Sequence, residues 1–141
     1  MDIYFSGSIR SGRHDQVIYA QLIRHLQKHG TVLTTHIGDS ALTDEGESHL
    51  SDLEIYARDM DWLKKADVVV AEVSNPSLGV GYEIAQAEVM KKPLFCLYQS
   101  TLAGKVSPMI TGNSSIRVCS YLSKYDAYLK LDAFFQLLKK E

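Results

Sequence analysis

The segment from Ser74 to Gly81 has the composition of an anion-binding loop. It follows an apolar run and contains Ser77, Gly79 and Gly81. Glycines let the backbone approach a ligand closely, and the free amides of a first helical turn attract anions. The Ser77 hydroxyl can add a further donor. The spacing therefore favours a phosphate-binding loop, and the alternative is a tight turn in which the glycines only make the bend.

Glu83 follows this loop two residues after Gly81. We expect it in the first turn of a helix, where the helix dipole keeps a carboxylate ionised. Taken alone, a dipole-stabilising glutamate is the simpler interpretation. Beside a ligand loop, however, an ionised carboxylate can attack an electrophilic carbon. Glu83 is therefore a candidate nucleophile.

A second glycine-containing loop runs from residue 7 to residue 13. Gly7 and Gly12 have the spacing of a P-loop, but Arg13-His14 replaces its Lys-[Ser/Thr], which excludes a nucleoside triphosphatase of that type. The loop still offers hydroxyls, amides and two guanidinium groups, which suit a sugar phosphate or a base edge. A solvated basic loop fits the pattern equally well. The candidate ligand contacts in this loop are Gly7, Ser8, Ile9 and Arg10.

Two further groups of polar residues call for interpretation. Asp59 and Asp61 are two positions apart on a predicted helix, so at most one of them can point into a site. The five histidines show no zinc pattern. His25 and His29 are four residues apart but lack the glutamate of His-Glu-x-x-His, so we expect them to be surface residues.

The elements that position these residues alternate along the chain. Ser51 or Asp52 can cap one helix, and residues 36–50 form a polar loop long enough to suggest a function. The alternation predicts a single-domain, doubly wound (Rossmann- or flavodoxin-like) five-stranded parallel sheet with helices on both faces. Ligands of such sheets bind beyond the carboxyl ends of the strands, so the loops after the first three strands should hold the site. Strands are expected at 3–6, 31–35, 67–73, 94–98 and 116–119, and helices at 14–28, 52–66, 79–91 and 124–140.

Composition narrows the classes of function. The length of 141 residues suits one domain over 1–141. The net charge of -2 does not indicate binding to a nucleic-acid polymer or to an anionic membrane. No apolar stretch approaches the ~20 residues that span a bilayer, and the N-terminus lacks the pattern of a signal peptide. Cys96 and Cys119 are expected to be reduced core residues. A cytoplasmic location is expected, and a nuclear one is compatible.

Several stretches match one known family when taken together. Residues 4–13, 66–73 and 76–83, with 30–36, 59–66 and 106–112, resemble the 2′-deoxynucleoside 5′-phosphate N-hydrolases, also described as 5-hydroxymethyl-dUMP N-hydrolases, of the nucleoside 2-deoxyribosyltransferase superfamily. The resemblance implies cleavage of the N-glycosidic bond of a deoxynucleoside monophosphate to free base and deoxyribose 5-phosphate. No metal or organic cofactor is expected, because a carboxylate nucleophile and a phosphate anchor suffice for this chemistry.

The resemblance also implies roles for individual residues. Glu83 falls on the family's nucleophile, which forms a covalent glycosyl intermediate. Asp59 falls on the second acid, which transfers a proton or orients the sugar and base. A homodimer is implied by Ser107, which matches a serine supplied across a dimer interface. The remaining matches are Tyr4 and Arg10 lining the site, His36 near the base, and Ser77 and Gly79 on the phosphate.

Departures from related sequences affect the expected substrate. Transferases of the superfamily carry an aspartate for the free 5′-hydroxyl where this chain has Ser77, and a serine donates to a phosphate that an aspartate would repel. Ser6 replaces a usual cysteine, Pro108 replaces a usual alanine, and residues 37–50 diverge near the expected base pocket. A 2-deoxyribosyltransferase, a ribonucleotide (CMP-type) N-glycosidase and a non-catalytic nucleotide-binding module remain open as alternatives, as does the base preference.

Overall fold

The five strands form a single parallel sheet in a computed structural model that describes residues 1–140. The strand order is β2-β1-β3-β4-β5, and every neighbouring pair is parallel. The predicted doubly wound sheet is confirmed. The strands are β1 (Asp2–Ser6), β2 (Thr31–Val32), β3 (Val68–Glu72), β4 (Leu94–Gln99) and β5 (Arg117–Tyr121), and the helices are α1 (Gln16–Leu26), α2 (Asp52–Lys65), α3 (Leu78–Val89), α4 (Pro108–Thr111) and α5 (Lys124–Leu138).

Alternation along the central strands divides the core into two layers. Val68 and Val70 of β3 face α1 and α5, whereas Val69 and Ala71 face α2 and α3. All four side chains are fully buried, as expected for a strand covered on both faces. Glu72 is also fully buried, on the α1/α5 side, where it accepts hydrogen bonds from Ser74 Oγ and from Tyr121 OH. This burial raises the pKa of Glu72 to about 7.

The second strand is shorter than the sequence predicts. Residues 31–35 were expected to be extended, but β2 ends at Val32 and a 3₁₀ turn begins at Thr35. The Thr34 hydroxyl replaces the backbone hydrogen bonds that a longer β2 would make to Phe5. Its Oγ1 accepts from Phe5 N (2.9 Å) and donates to the Phe5 carbonyl (2.6 Å). Both Phe5 groups are buried, and leaving such a group unpaired costs about 1–3 kcal/mol. The side-chain bridge therefore lets the chain leave the sheet early and turn toward the site.

Most other element boundaries agree with expectation to within a few residues. Ser51 begins α2 through a capping box, since Ser51 Oγ accepts from Glu54 N (3.1 Å) and Ser51 N donates to the Glu54 carboxylate (2.7 Å). Two short elements, α4 and a 3₁₀ turn at Ser100–Leu102, were not predicted, because neither is long enough to show a periodic pattern. None of the helices among residues 1–140 is long and apolar enough to cross a membrane.

The expectation that His25 and His29 are surface residues is wrong. The His25 side chain is 7% exposed and that of His29 is 14% exposed. The reason is that α5 packs over this face of α1 and covers both rings with aromatic side chains. Cys96 is buried and Cys119 is partly buried, and both are free thiols.

Candidate active site

A cavity of about 540 Å³ lies at the carboxyl ends of the strands, where the strand order reverses between β1 and β3. The loops after β1, β2 and β3 line it, and α2 closes one side. The structure thus brings together the three loops that the sequence singled out. The predicted site residues that line this cavity are Tyr4, Gly7, Ile9, Arg10, His36, Asp59, Ser77, Gly79 and Glu83.

Ser8, a predicted ligand contact in the loop after β1, does not line this cavity. The residue is fully buried. Its N–H donates to the Tyr19 hydroxyl (3.2 Å) and its Oγ donates to the Gly12 carbonyl (3.1 Å). The Arg13 guanidinium is likewise used in hydrogen bonds within the protein, because it donates to the carbonyl oxygens of residues 8, 39 and 42. Arg10, which is exposed, is left as the cation of this loop facing the cavity.

Glu83 points into the cavity from the second turn of α3. The expected place in the first turn is wrong, because Ser77 is the N-cap and α3 begins at Leu78. The dipole weakens beyond the first turn, so burial decides the ionisation of this half-buried residue. Burial, with the negative Asp59 nearby, raises the pKa of Glu83 to about 7, against opposing hydrogen bonds from Ser6 and Tyr4. The expectation of a carboxylate kept ionised by the dipole is therefore corrected to one that titrates near neutrality.

Two hydroxyls of β1 face the Glu83 carboxylate. Ser6 Oγ donates to Glu83 Oε2, and Ser6 is buried. Tyr4 is also buried, and this burial, together with the charges of Glu83 and Asp59, raises the pKa of Tyr4 far above its ordinary value. Tyr4 therefore stays protonated as a hydrogen-bond donor. Ser6 was not predicted as a site residue, and its one signal in the sequence was its departure from the usual cysteine.

Asp59 and Asp61 point in different directions, as the helical spacing predicts. Asp59 lines the cavity, whereas Asp61 is exposed and pairs with Lys65 Nζ (2.8 Å). Burial raises the pKa of Asp59, although hydrogen bonds from the Arg58 guanidinium oppose the shift. The distances from Asp59 Oδ1 to Arg58 Nε and Nη2 are 2.9 and 2.7 Å. Asp59 is thus a restrained carboxyl group that holds a proton more readily than a surface aspartate does.

Glu47 joins this network from the long loop after β2. Arg58 donates to both Glu47 oxygens, at 2.6 and 2.7 Å, and its guanidinium lies 4.6 Å from the centre of the Trp62 ring. The Arg58 hydrogen bonds hold the pKa of Glu47 below its ordinary value. A partly buried ion pair that the sequence analysis missed thus joins residues 36–50 to α2 beside the cavity. Nothing in its local spacing connects residue 47 with residue 58.

His36 lines the cavity next to the Glu47–Arg58 pair. Its Nε2 is buried and has no hydrogen-bond partner among the described residues. The nearest acid is Glu47, whose Oε2 lies 3.8 Å away. Burial lowers the pKa of His36, with Glu47 opposing the shift, so the ring is neutral at neutral pH. A buried polar atom without a partner is costly, and this one is not exposed to the cavity.

The loop after β3 has the geometry of an anion site. Val80 N donates to Ser77 Oγ (3.4 Å), which leaves the Ser77 hydroxyl hydrogen free to donate elsewhere. The N–H groups of Leu78 and Gly79 have no acceptor within the helix. A side-chain carbon built on Gly79 would meet only Ser77 Oγ within 4 Å, at 3.9 Å. The space over Gly79 is therefore open to a ligand.

A second cavity, of about 640 Å³, adjoins the first across the start of α3. Ser77, Leu78 and Val80 line both cavities, and Ser107 lines only the second. Ser107 caps α4, with Met109 N donating to its Oγ (3.2 Å). The structure therefore does not bring Ser107 to the Glu83 cavity of its own chain. Leu78 and Met109, on the rim, are among the most exposed apolar residues of the chain.

No metal-type cluster is formed by the cavity carboxylates of residues 1–140. The one group of described side chains with suitable spacing for a metal lies at the end of α1, just after it and on α5. The cavity instead combines one ionisable carboxylate, one protonatable carboxyl group and an anion loop. This set can attack a carbon centre, protonate a leaving group and hold an anionic substituent.

Sequence comparison matches the chain to one family of known proteins. The sequence profile described as nucleoside 2-deoxyribosyltransferase matches residues 3–109. A Danio rerio protein named 5-hydroxymethyl-dUMP N-hydrolase is 48% identical over 115 residues, which is 82% of this chain and 80% of that protein. A Homo sapiens protein of the same name is 40% identical over 138 residues, or 95% of this chain and 79% of that protein.

Two solved structures share the fold at low sequence identity. The structure of Clostridium botulinum CMP N-glycosidase, BcmB, has a TM-score of 0.70 at 18% identity, covering 95% of this chain and 99% of that one. The solution structure of BlsM has a TM-score of 0.75 at 22% identity, covering 95% of this chain and 88% of that one.

Proposed function

We propose that this chain, which belongs to the nucleoside 2-deoxyribosyltransferase family, hydrolyses the N-glycosidic bond of 2′-deoxynucleoside 5′-monophosphates. One observation carries the proposal: a shielded carboxylate, Glu83, shares a cavity with the anion loop of Ser77 and Gly79. A monophosphate held on that loop would present its sugar to the carboxylate. The names of the relatives, which are N-hydrolases of a deoxynucleotide, support the same reaction.

The reaction we propose proceeds in two displacements. An ionised Glu83 oxygen attacks C1′, and the C1′–N bond breaks with its electron pair leaving on the base. Asp59, whose pKa burial raises, donates a proton to that base. Water then attacks C1′, Asp59 accepts its proton, and the Glu83 ester bond breaks to release 2-deoxyribose 5-phosphate. Tyr4 and Ser6 orient the Glu83 carboxylate throughout.

We extend the proposal to 5-hydroxymethyl-dUMP as one substrate. The hydroxymethyl group both donates and accepts a hydrogen bond, so it suits the polar wall that His36, Glu47 and Asp59 give the cavity. The Glu47–Arg58 pair fixes the wall beside His36. The name shared by several relatives points to the same base.

Comparison of four substrates tests the activity and its two selectivities. Release of base should be seen with 5-hydroxymethyl-dUMP and dGMP, and should be much slower with CMP and with 5-hydroxymethyl-2′-deoxyuridine, which lacks the phosphate. Equal rates with the nucleoside and the monophosphate would remove the proposed role of the Ser77 loop. Tight binding of every monophosphate without turnover would instead support a nucleotide-binding module.

The pKa of Glu83 makes a prediction for the pH profile. Because the proposed reaction needs an ionised Glu83 and a protonated Asp59, the plot of kcat/KM against pH should be bell-shaped, with one limb near pH 7 that belongs to Glu83. Ser6→Ala removes a hydrogen bond to the charged form, so it should raise the pKa of Glu83 and move the limb to higher pH. The substrate phosphate titrates identically with both proteins and cancels in the comparison. A limb near pH 7 that does not move in Ser6→Ala would contradict this assignment.

We also propose that the chain acts as a homodimer in which Ser107 reaches the neighbouring subunit's phosphate site. The second cavity supports this, because it adjoins the Ser77 loop and carries exposed apolar residues on its rim. Coexpression of Glu83→Gln with Ser107→Asp tests the idea, since aspartate also caps helices well. In a symmetric dimer about one quarter of the sites would be intact, so activity should return to about that level. Coexpressed chains no more active than either variant alone would exclude sharing.

A further inference from the structure

His25 of α1, His29 just after α1 and Asp132 of α5 converge at a point remote from the catalytic cavity. His25 Nε2 and His29 Nε2 lie 2.7 and 2.6 Å from the same oxygen, Asp132 Oδ1. The three candidate ligand atoms all lie within 4.8 Å of one another. His25 and His29 occupy the C-terminal end of α1 and its first following turn, just before β2. They are therefore at the amino edge of the sheet, opposite the active site.

Aromatic packing holds both imidazole rings in place. The His25 ring stacks on Tyr128 with centroids 4.1 Å apart and planes 1° from parallel. The His29 ring stacks on Phe135 at 4.4 Å and 12°. Since each ring is clamped against a side chain of α5, both Nε2 atoms stay directed at one point. Such restrained ligands are what a preformed metal site requires.

The Asp132 carboxylate supplies the third ligand of the set. Its side chain is 39% exposed, the most exposed of the three. Asp132 is therefore the group that can move outward and leave the remaining coordination positions to water.

We propose that His25, His29 and Asp132 form a binding site for a divalent transition-metal ion, with Zn²⁺ as the representative ligand. Two imidazoles and one carboxylate are a donor set that Zn²⁺ binds at about 2.0–2.2 Å in a tetrahedral arrangement completed by water. Tetrahedral ligands at those lengths are about 3.3 Å apart. The present nitrogen–oxygen distances of 2.6 and 2.7 Å must therefore widen by less than 1 Å, through a shift of Asp132.

An ion in this site would link α1 to α5 and stabilise the fold, because it binds the folded chain and not the unfolded one. The role is structural and independent of the hydrolysis proposed above. Mg²⁺ would not substitute, since it prefers oxygen ligands in octahedral geometry. Of the two ions, Zn²⁺ alone should therefore raise the melting temperature.

Thermal unfolding with and without Zn²⁺ tests this proposal. The protein stripped with EDTA should melt a few degrees higher after one equivalent of Zn²⁺ is added, and excess EDTA should reverse the rise. His29→Ala and Asp132→Asn should abolish the Zn²⁺-dependent rise. His14→Ala, which removes an exposed histidine outside the cluster, should keep it in full. The measured quantity is the difference made by Zn²⁺ within each variant, so a variant that is less stable overall still gives an answer.

A spectrum of bound cobalt gives a second measurement. Co²⁺ in the site should show the visible absorption of a tetrahedral complex with nitrogen ligands, displaced by Zn²⁺ and missing in His29→Ala. Zn²⁺ that leaves the melting temperature unchanged, or that raises it equally in His29→Ala, would overturn the proposal. The cluster would then be only a pair of hydrogen bonds between α1 and α5.

Discussion

Glu83→Gln is expected to lower kcat/KM for a deoxynucleoside monophosphate by about a thousandfold or more. Glutamine has nearly the shape of glutamate and can still accept the Ser6 hydrogen bond, so the fold of α3 should be retained. It lacks the charged oxygen that we propose attacks C1′. The loss should therefore appear in kcat, and the KM should change little, because the phosphate loop is intact.

Asp61→Asn is a matched control that shows the effect of removing a carboxylate away from the cavity. Asp61→Asn also removes one carboxylate, but Asp61 is exposed and pairs with Lys65 outside the cavity. Its kcat/KM should stay within about twofold of the wild type. If Glu83→Gln kept full activity while remaining folded, the proposed nucleophile would be wrong.

Ser77→Asp is expected to raise the KM for monophosphates by about a hundredfold or more. A carboxylate at residue 77 would face the phosphate across the anion loop, and such like-charge contact costs several kcal/mol. Each 1.4 kcal/mol is about a tenfold change in binding. Aspartate is as good an N-cap as serine, so α3 should begin at the same residue. The variant therefore tests the phosphate contact with little effect on the helix.

The phosphate-free nucleoside provides the comparison for Ser77→Asp. Turnover of 5-hydroxymethyl-2′-deoxyuridine, however slow, should not fall with the monophosphate, since the repulsion requires the phosphate. Ser77→Thr, which keeps the hydroxyl, should retain most of the monophosphate activity. A KM for the monophosphate that is unchanged in Ser77→Asp would show that the phosphate binds elsewhere.

The position of the cavity could be predicted because it depends on local signals. The buried run at 67–73 and the glycines after it place a loop at the carboxyl end of a central strand, and the structure confirms that arrangement. Helical spacing predicted that at most one of Asp59 and Asp61 faces the site, and Asp61 is indeed turned outward; the choice of Asp59 came from the family resemblance. These inferences needed only neighbouring residues, which is why the sequence contains them.

The ionisation of Glu83 could not be predicted, because it depends on distant residues. Ser6 lies 77 positions away in the chain and still donates to Glu83, and the burial that raises its pKa comes from several elements. The Glu47–Arg58 pair and the bridge from Thr34 to Phe5 are likewise formed by tertiary contacts. The same reason explains why His25 and His29 were misplaced at the surface: the helix that covers them is α5, near the end of the chain.

The central claim is that this chain hydrolyses the glycosidic bond of a deoxynucleoside monophosphate. The most direct test is to incubate it with 5-hydroxymethyl-dUMP and an equimolar second base, and to follow the products by nuclear magnetic resonance. We predict equal amounts of 5-hydroxymethyluracil and 2-deoxyribose 5-phosphate, both formed at least about a thousandfold more slowly with Glu83→Gln. A new nucleotide carrying the second base, or a substrate left intact by folded protein at stoichiometric concentration, would contradict the claim.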